Sequence, residues 1–312
     1  MTIVRTGGLG DTILVLPTFE ILRAAYPAAT LTLVGSAWAE ALQPLVPCGV
    51  RVLQFDRVFP AAHRGGSEGG SGTDVLAAAS AVIVYTATPE SDFVAHVRCA
   101  CPGPVLVWPV APAEGVHAAR HLASAVASVP SDPDALPMPT LRSPRGLRFR
   151  SRWWLDRQFG RGVRPVAVHP GAGGRRKCWP ARRYADLATR LDAPVLLVEG
   201  PADGDACREF VQVVDPAVPV VRAASESLPR LAALLVESRG YVGNDSGVSH
   251  LAAALGVPTI AVFGPTDPAV WAPPGPDVYA IAPRGDGPWP TVDDVLIAAR
   301  KFPNDRPPGI RA

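Results

Sequence analysis

Residues Gly240–Pro268 read GYVGNDSGVSHLAAALGVPTIAVFGPTDP, and the fold is decided here. An apolar strand over Gly240–Val242 stops at Gly243, and Asn244-Asp245-Ser246 caps a helix over Ser246–Leu255. Within that helix Val248, Leu251, Ala252 and Leu255 recur at core spacing. Gly256-Val257-Pro258 then turns the chain into a second strand, Thr259–Phe263, which runs out through Gly264-Pro265-Thr266-Asp267-Pro268. Strand, helix and strand in that order form a βα unit of a mostly parallel sheet.

The pattern extends outward on both sides. Upstream in the same half, short apolar runs predict strands at Val166–His169, Val195–Glu199 and Val218–Arg222, with helices at Arg182–Leu191 and Asp205–Val214. Thr291 with Asp294 three residues on opens a last helix over 291–302. The first half repeats the theme with strands at Thr2–Arg5, Leu31–Val34, Val50–Phe55, Ala81–Tyr85 and Val105–Trp108. Phe19, Leu22, Arg23 and Tyr26 share one helix face there, and His117, Arg120, His121 and Ser124 share a surface face of a later helix. His63–Gly72, HRGGSEGGSG, has linker composition and reads as a flexible loop. The Pro- and Arg-dense stretch Pro130–Arg164, with a short helical piece at Trp153–Phe159, marks the hinge, so the expected domains are 1–150 and 151–312. Two βα domains so joined leave a cleft at the carboxyl ends of their strands, where open α/β sheets bind ligands.

A chain of 312 residues is long enough for two such domains. Apolar residues make up 48% and charged residues 19%, which is the composition of a packed globular protein. A net charge of +2 gives no sign of a nucleic-acid partner. Nearly all cations are Arg, with Lys only at Lys177 and Lys301, and the runs Arg142–Arg164 and Arg175-Arg176 have the chemistry to meet phosphate or an anionic surface, or simply to be solvated. The five cysteines make no CxxC pair, and no apolar run approaches the ~18 residues of a membrane span, so a cytoplasmic protein is expected.

Two stretches have the makings of a site. In Ile3–Pro17, IVRTGGLGDTILVLP, a strand ends in a glycine turn (Gly7, Gly8, Gly10) that delivers Asp11 to a helix start; Asp11 is either a functional carboxylate or an N-cap. The spacing departs from GxGxxG. In Gly240–Pro268 the small residues Ser246, Gly247 and Ser249 leave helix N–H groups open to a diphosphate, and Gly264-Pro265-Thr266 makes a second tight turn at the same sheet edge. His117 and His121 stand four apart, but no third ligand completes a metal site, and Cys178 beside Lys177 reads as a packing residue.

These segments carry a resemblance. VGNDSGVSHLAAALGVPTIAVFGPTDP is similar to the nucleotide-sugar motif of glycosyltransferase family 9, the ADP-heptose:lipopolysaccharide heptosyltransferases. RTGGLGDTILVLPTFEILR resembles the family's N-terminal motif, and HPGAGGRRKCWPARRYADLA its segment in which a lysine follows the first strand of the second domain. The resemblance implies a GT-B fold, two Rossmann-like domains facing each other across a cleft. It implies an inverting, metal-independent sugar transfer to an acceptor hydroxyl, from an ADP-sugar, typically ADP-heptose, as substrate and with no cofactor. Asp11 would be the general base and Lys177 the cation on the donor phosphates. Gly171, Asn244, Asp245, Ser246, Gly247, His250, Gly264, Pro265 and Thr266 would line the donor. An acid after the next strand would hold the ribose: Glu199, Asp203 or Asp205.

The family's best-known acceptor is the lipopolysaccharide core, met peripherally at the inner membrane. Few cations lie between Arg5 and Arg98, which leaves a lipid-linked glycan, a small molecule or a protein open as acceptor. A GT-B sugar-nucleotide epimerase would need further acid/base residues, and a silent nucleotide-sugar-binding protein would have lost Asp11.

Overall fold

The computed structural model describes residues 1–46, 49–60, 71–129, 138–285 and 287–303. The chain divides into two compact units, Met1–Pro139 and Thr140–Ala312.

Unit 1 runs β1 (Thr2–Arg5), α1 (Leu9–Leu14), α2 (Leu16–Ala25), β2 (Leu31–Gly35), α3 (Ala37–Leu42), β3 (Val50–Gln54), α4 (Phe55–Val58), α5 (Ser71–Ala77), β4 (Val82–Thr86), α6 (Asp92–Ala100), β5 (Val105–Pro109) and α7 (Ala118–Ala123). Its strands are parallel, in the order β3-β2-β1-β4-β5. Chain order reverses between β1 and β4, so the segment leaving β1 emerges at the switch point of the sheet. Val4, Val34, Val82 and Val84 pack against Phe55, Phe59, Leu76 and Val97, and the rings of Phe55, Phe59 and Phe93 meet at centroid distances of 5.1–5.3 Å.

Unit 2 runs α8 (Arg145–Phe159), β6 (Val166–His169), α9 (Ala181–Arg190), β7 (Val195–Glu199), α10 (Gly204–Val213), β8 (Val220–Ala224), α11 (Leu228–Val236), β9 (Gly240–Asn244), α12 (Gly247–Ala254), β10 (Thr259–Val262), α13 (Pro268–Trp271), β11 (Val278–Ile281) and α14 (Val292–Ala299). Its parallel order is β11-β10-β9-β6-β7-β8, with the reversal between β6 and β9. Strands β6, β9 and β10 are buried throughout, as continuous apolar runs covered on both faces must be. Trp179, Tyr184, Phe210 and Phe302 fill the space beneath the helices.

Several expectations change. The break falls ahead of residue 150 because α8 is stitched into unit 2: Arg148 and Arg164 both pair with the buried carboxylate of Glu237, at 3.0 and 3.3 Å, and Arg230 donates to Ser151 at 2.8 Å. The helical piece expected at Trp153–Phe159 is therefore the end of a 15-residue helix, and Trp154 lies under the guanidinium of Arg230. Phe55 opens α4 rather than closing β3, and β8 starts at Val220. Most of the expected loop His63–Gly72 lies outside the described residues, while Ser71 and Gly72 belong to α5. His121 is buried, its ring bonded to the Pro109 carbonyl, and His117 caps α7 by accepting from the Ala119 amide, so both histidines hold the fold. The final helix runs Val292–Ala299, with the Thr291–Asp294 capping box formed as expected.

Candidate functional site

In unit 1 the turn after β1 is built around Asp11. Gly7 has φ +137°, and a Cβ there would lie 2.8 Å from the Asp11 carboxylate, so only glycine fits. Gly8, with φ −75°, is the N-cap of α1, and Gly10 lies inside the helix, so of the three glycines only Gly7 needs the left-handed region. Asp11 is the third helical residue and not the N-cap. Its Oδ2 accepts the Gly8 amide at 2.8 Å, and its Oδ1 accepts from Arg5 at 2.6 Å. The Arg5 side chain is 11% exposed and that of Asp11 37%, so the carboxylate reaches solvent while its partner does not. Burial pushes the Arg5 guanidinium below its usual value, against the opposing pull of Asp11 and then Tyr85. Tyr85, pushed up to about 12 by burial, donates to the Leu122 carbonyl.

In unit 2 the segments leaving β6, β9 and β10 converge at the switch point. Lys177, in a short 3₁₀ turn at Arg175–Lys177, donates to Asp245 Oδ2 at 2.7 Å, and Thr266 Oγ1 donates to the same oxygen at 2.8 Å. One carboxylate oxygen thus gathers a cation from the β6 loop and a hydroxyl from the β10 loop at the entry to α12. In the first turn of α12 the Ser249 and His250 amides bond back to Ser246, and among the described residues no acceptor takes the amides of Ser246, Gly247 or Val248. Those donors and the Lys177 ammonium have the chemistry of a phosphate site. His250 lies buried on the helix, while Gly264 is required by packing, since a Cβ there would fall 2.5 Å from the Trp289 ring.

Asn244 locks the arrangement from below. Its Nδ2 donates to the carbonyls of Pro170 and Gly171, and its Oδ1 accepts from the Trp179 amide and the Tyr184 hydroxyl, all at 2.8–2.9 Å. It is fully buried and holds the loop rather than facing a ligand. Asp203 does the same from the other side. Its Oδ2 meets His169 Nε2 and the Gly200 amide, each at 2.9 Å, and a Cβ on Gly171 would lie 2.0 Å from its Oδ1. Burial pushes this carboxyl up, but the His169 hydrogen bond and charge and the Gly200 amide outweigh it, and it settles below the usual range.

The three acids considered for the ribose therefore differ. Asp203 is engaged inside the fold; Glu199 stands at the end of β7 paired with Arg222; Asp205 is exposed and paired with Arg208. Asp203 and Asp205 have Asp-x-Asp spacing, yet their carboxylates turn to different partners. A cavity of about 380 Å³ lies between the Gly171–Ala181 segment and α10, with Arg175, Asp203, Asp205 and Glu209 in its wall. The Cys178 thiol beside it is raised by burial and by Asp203, so the neighbouring arginines do not activate it. Two residues that open quoted motifs but were assigned no role, Arg5 behind Asp11 and His169 beneath Gly171, emerge as supports. The signal for His169 was its place as the last residue of a buried apolar strand.

Two doubly wound units, each built on its own parallel sheet, are the architecture of the GT-B class. The family model for glycosyltransferase family 9 (heptosyltransferase) matches residues 77–289, and the chain belongs to that family. It is 32% identical over 139 residues to the Escherichia coli lipopolysaccharide heptosyltransferase 3, a match covering 43% of this chain and 41% of that protein. Over 97% of this chain and 98% of the other, it shares the fold of the E. coli ADP-heptose LPS heptosyltransferase II, with a TM-score of 0.75 at 21% identity. The E. coli heptosyltransferase WaaC with ADP-2-deoxy-2-fluoro heptose is also similar, with a TM-score of 0.68 at 20% identity over 96% of this chain and 98% of that one.

Among the described residues no helix is long and apolar enough to cross a membrane.

Proposed function

We propose that this chain transfers a sugar, heptose from ADP-heptose, to an acceptor hydroxyl with inversion and without a metal. The observation that carries this reading is the meeting of Lys177 and Thr266 on Asp245 beside the open amides of Ser246, Gly247 and Val248. A diphosphate placed there takes the Lys177 ammonium and the amides together. As the anomeric C–O bond to the donor breaks, negative charge grows on the leaving ADP, and these groups stabilise it. Ser246, Gly247 and Thr266 face the phosphates, and the ribose hydroxyls fall to Glu199 or Asp205.

On this reading Asp11 is the base. The acceptor oxygen forms its bond to the anomeric carbon while its proton passes to the Asp11 carboxylate, which Arg5 and the Gly8 amide hold in one orientation. Gly7 and Gly8 shape that turn, and Gly171 lets the loop after β6 lie close upon Asp203. The acceptor on this reading is a glycan of lipopolysaccharide type, in line with the relatives' names, with small-molecule and protein acceptors as the alternatives.

The test is incubation of the protein with ADP-heptose and an acceptor, with and without EDTA. Release of ADP with a new glycoside of inverted configuration, at equal rates in EDTA, supports the proposal. An epimerised donor without transfer would replace it with an epimerase. Loss of activity in EDTA with rescue by a divalent cation would overturn the metal-independent step.

A further inference from the structure

Helix α8 presents a face that neither the fold nor the proposed transfer uses. Arg145, Phe149, Trp153 and Arg157 follow one another at i, i+4 spacing and so form one ladder along the helix, with Arg150 beside it. Phe149 is 76% exposed and Trp153 56%, the highest values among the described large apolar side chains apart from Ile297 at 61%. The opposite face is fastened to unit 2 through Leu155, Ser151 and the Arg148–Glu237 pair, so the aromatic face is held outward by a fixed scaffold.

The charges on this face are one-sided. Arg145, Arg150 and Arg157 are exposed, and among the described residues none of them pairs with a carboxylate. The one acid of the helix, Asp156, is neutralised by Arg152 at 2.8 Å and by the Gly162 amide. Arg157 lies over the Trp153 ring at 5.0 Å, which orders both side chains. Two aromatic side chains at the centre of a solvent face, with arginines on both edges, match the layering of a bilayer surface. The rings reach the acyl boundary while the guanidinium groups stay at the headgroup phosphates.

We propose that α8 is a membrane-docking helix that seats unit 2 on an anionic phospholipid surface. Charge complementarity selects the occupant: three unpaired arginines around an apolar centre ask for a surface that is negative at the rim and apolar beneath it. A protein partner would have to supply the same layering. The inference stands on α8 alone and does not require the proposed transfer, although a lipid-linked acceptor would be met at such a surface.

The experiment is co-sedimentation of the full chain with vesicles of phosphatidylethanolamine and phosphatidylglycerol, against vesicles of phosphatidylcholine. Binding is expected to the anionic vesicles, weakening in high salt. Each arginine near such a surface multiplies partition roughly fivefold, so R145E/R150E/R157E is expected to lose about a hundredfold or more. F149S/W153S is expected to lose at least about tenfold. Melting temperature and ADP affinity, read by calorimetry on the same samples, are expected to stay unchanged, which separates this proposal from the donor site. Failure to bind anionic vesicles, equal binding to both vesicle types, or unchanged partition in the two variants would overturn it. So would self-association of the wild type that F149S/W153S abolishes, since the face would then be covered by a second copy.

Discussion

Replacing Asp11 by asparagine separates the proposed base from a structural carboxylate, and the structure sets the size of both effects. The substituted amide retains one carbonyl oxygen, enough to accept from either the Gly8 amide or Arg5 but without the charge that Arg5 faces. Breaking a fully buried pair costs about 3–5 kcal/mol and an exposed one about 0–1. With Arg5 11% and Asp11 37% exposed, and with Arg5 still bonded to the Thr6 carbonyl, the cost is about 1–2 kcal/mol. At roughly 2–4 °C per kcal/mol, melting falls by about 2–8 °C. An N-cap asparagine would have left melting nearly unchanged, so the Arg5 contact alters the expected outcome. The proton acceptor is worth more: its loss is expected to lower the transfer rate by about 10²–10⁴-fold, or roughly 2.7–5.5 kcal/mol. Stability cannot mimic this, because a protein stable by about 5 kcal/mol or more stays almost wholly folded after losing about 2. The assay is ADP release under saturating donor and acceptor at 25 °C, with a thermal melt of each sample. Arg5→Gln serves as control and is expected to melt lower yet keep most of its rate, since the Gly8 amide still holds Asp11. Turnover of Asp11→Asn within roughly threefold of wild type, well short of a positioned base, would refute the reasoning; so would an Arg5→Gln variant that loses as much rate with Asp11 in place.

Two further outcomes follow from unit 2. Lys177→Gln removes a charge-assisted contact to the donor phosphates, and calorimetry with ADP is expected to show affinity about tenfold to a hundredfold lower; unchanged affinity would leave Lys177 as a partner of Asp245 alone. Asp203, whose carboxyl is depressed in the fold, contributes stability that is fully present above its unfolded pKa of about 3.9 and is lost as pH falls through the lower folded value. Asp203→Asn is therefore expected to melt several degrees lower at neutral pH, with the gap to wild type closing below about pH 4. A gap that stays constant across an acid titration would show that the His169 contact carries no charge-dependent stability.

Much of this molecule was legible as a string of residues. Strands β1, β6 and β7 lie where short apolar runs end in Gly, Pro or acid, because a strand buried on both faces is apolar through its middle and keeps polar residues such as Arg5, His169 and Glu199 for its end. The same runs showed the βα turn that delivers Asp11 just past a strand end, whereas Lys177 and Asp245 were marked for the donor by the resemblance of their segments to glycosyltransferase family 9. Helix α11 was missed, since LPRLAALLV is a nine-residue run with Arg230 as its one polar residue, too short and too apolar to be told from a buried strand; β11 was missed as a four-residue edge strand. What only the tertiary structure decided lies in pairings between distant residues. Thirty-four positions separate His169 from Asp203, and 68 separate Lys177 from Asp245, and no local pattern specifies that they meet. Arg5 is only six residues from Asp11, yet its claim on that carboxylate depends on β1 burying its stem and α1 turning Asp11 back toward it. Periodicity and turn chemistry are properties of neighbours along the chain and can be read there, whereas the partner of a buried charge is chosen by which strand ends the sheet places side by side.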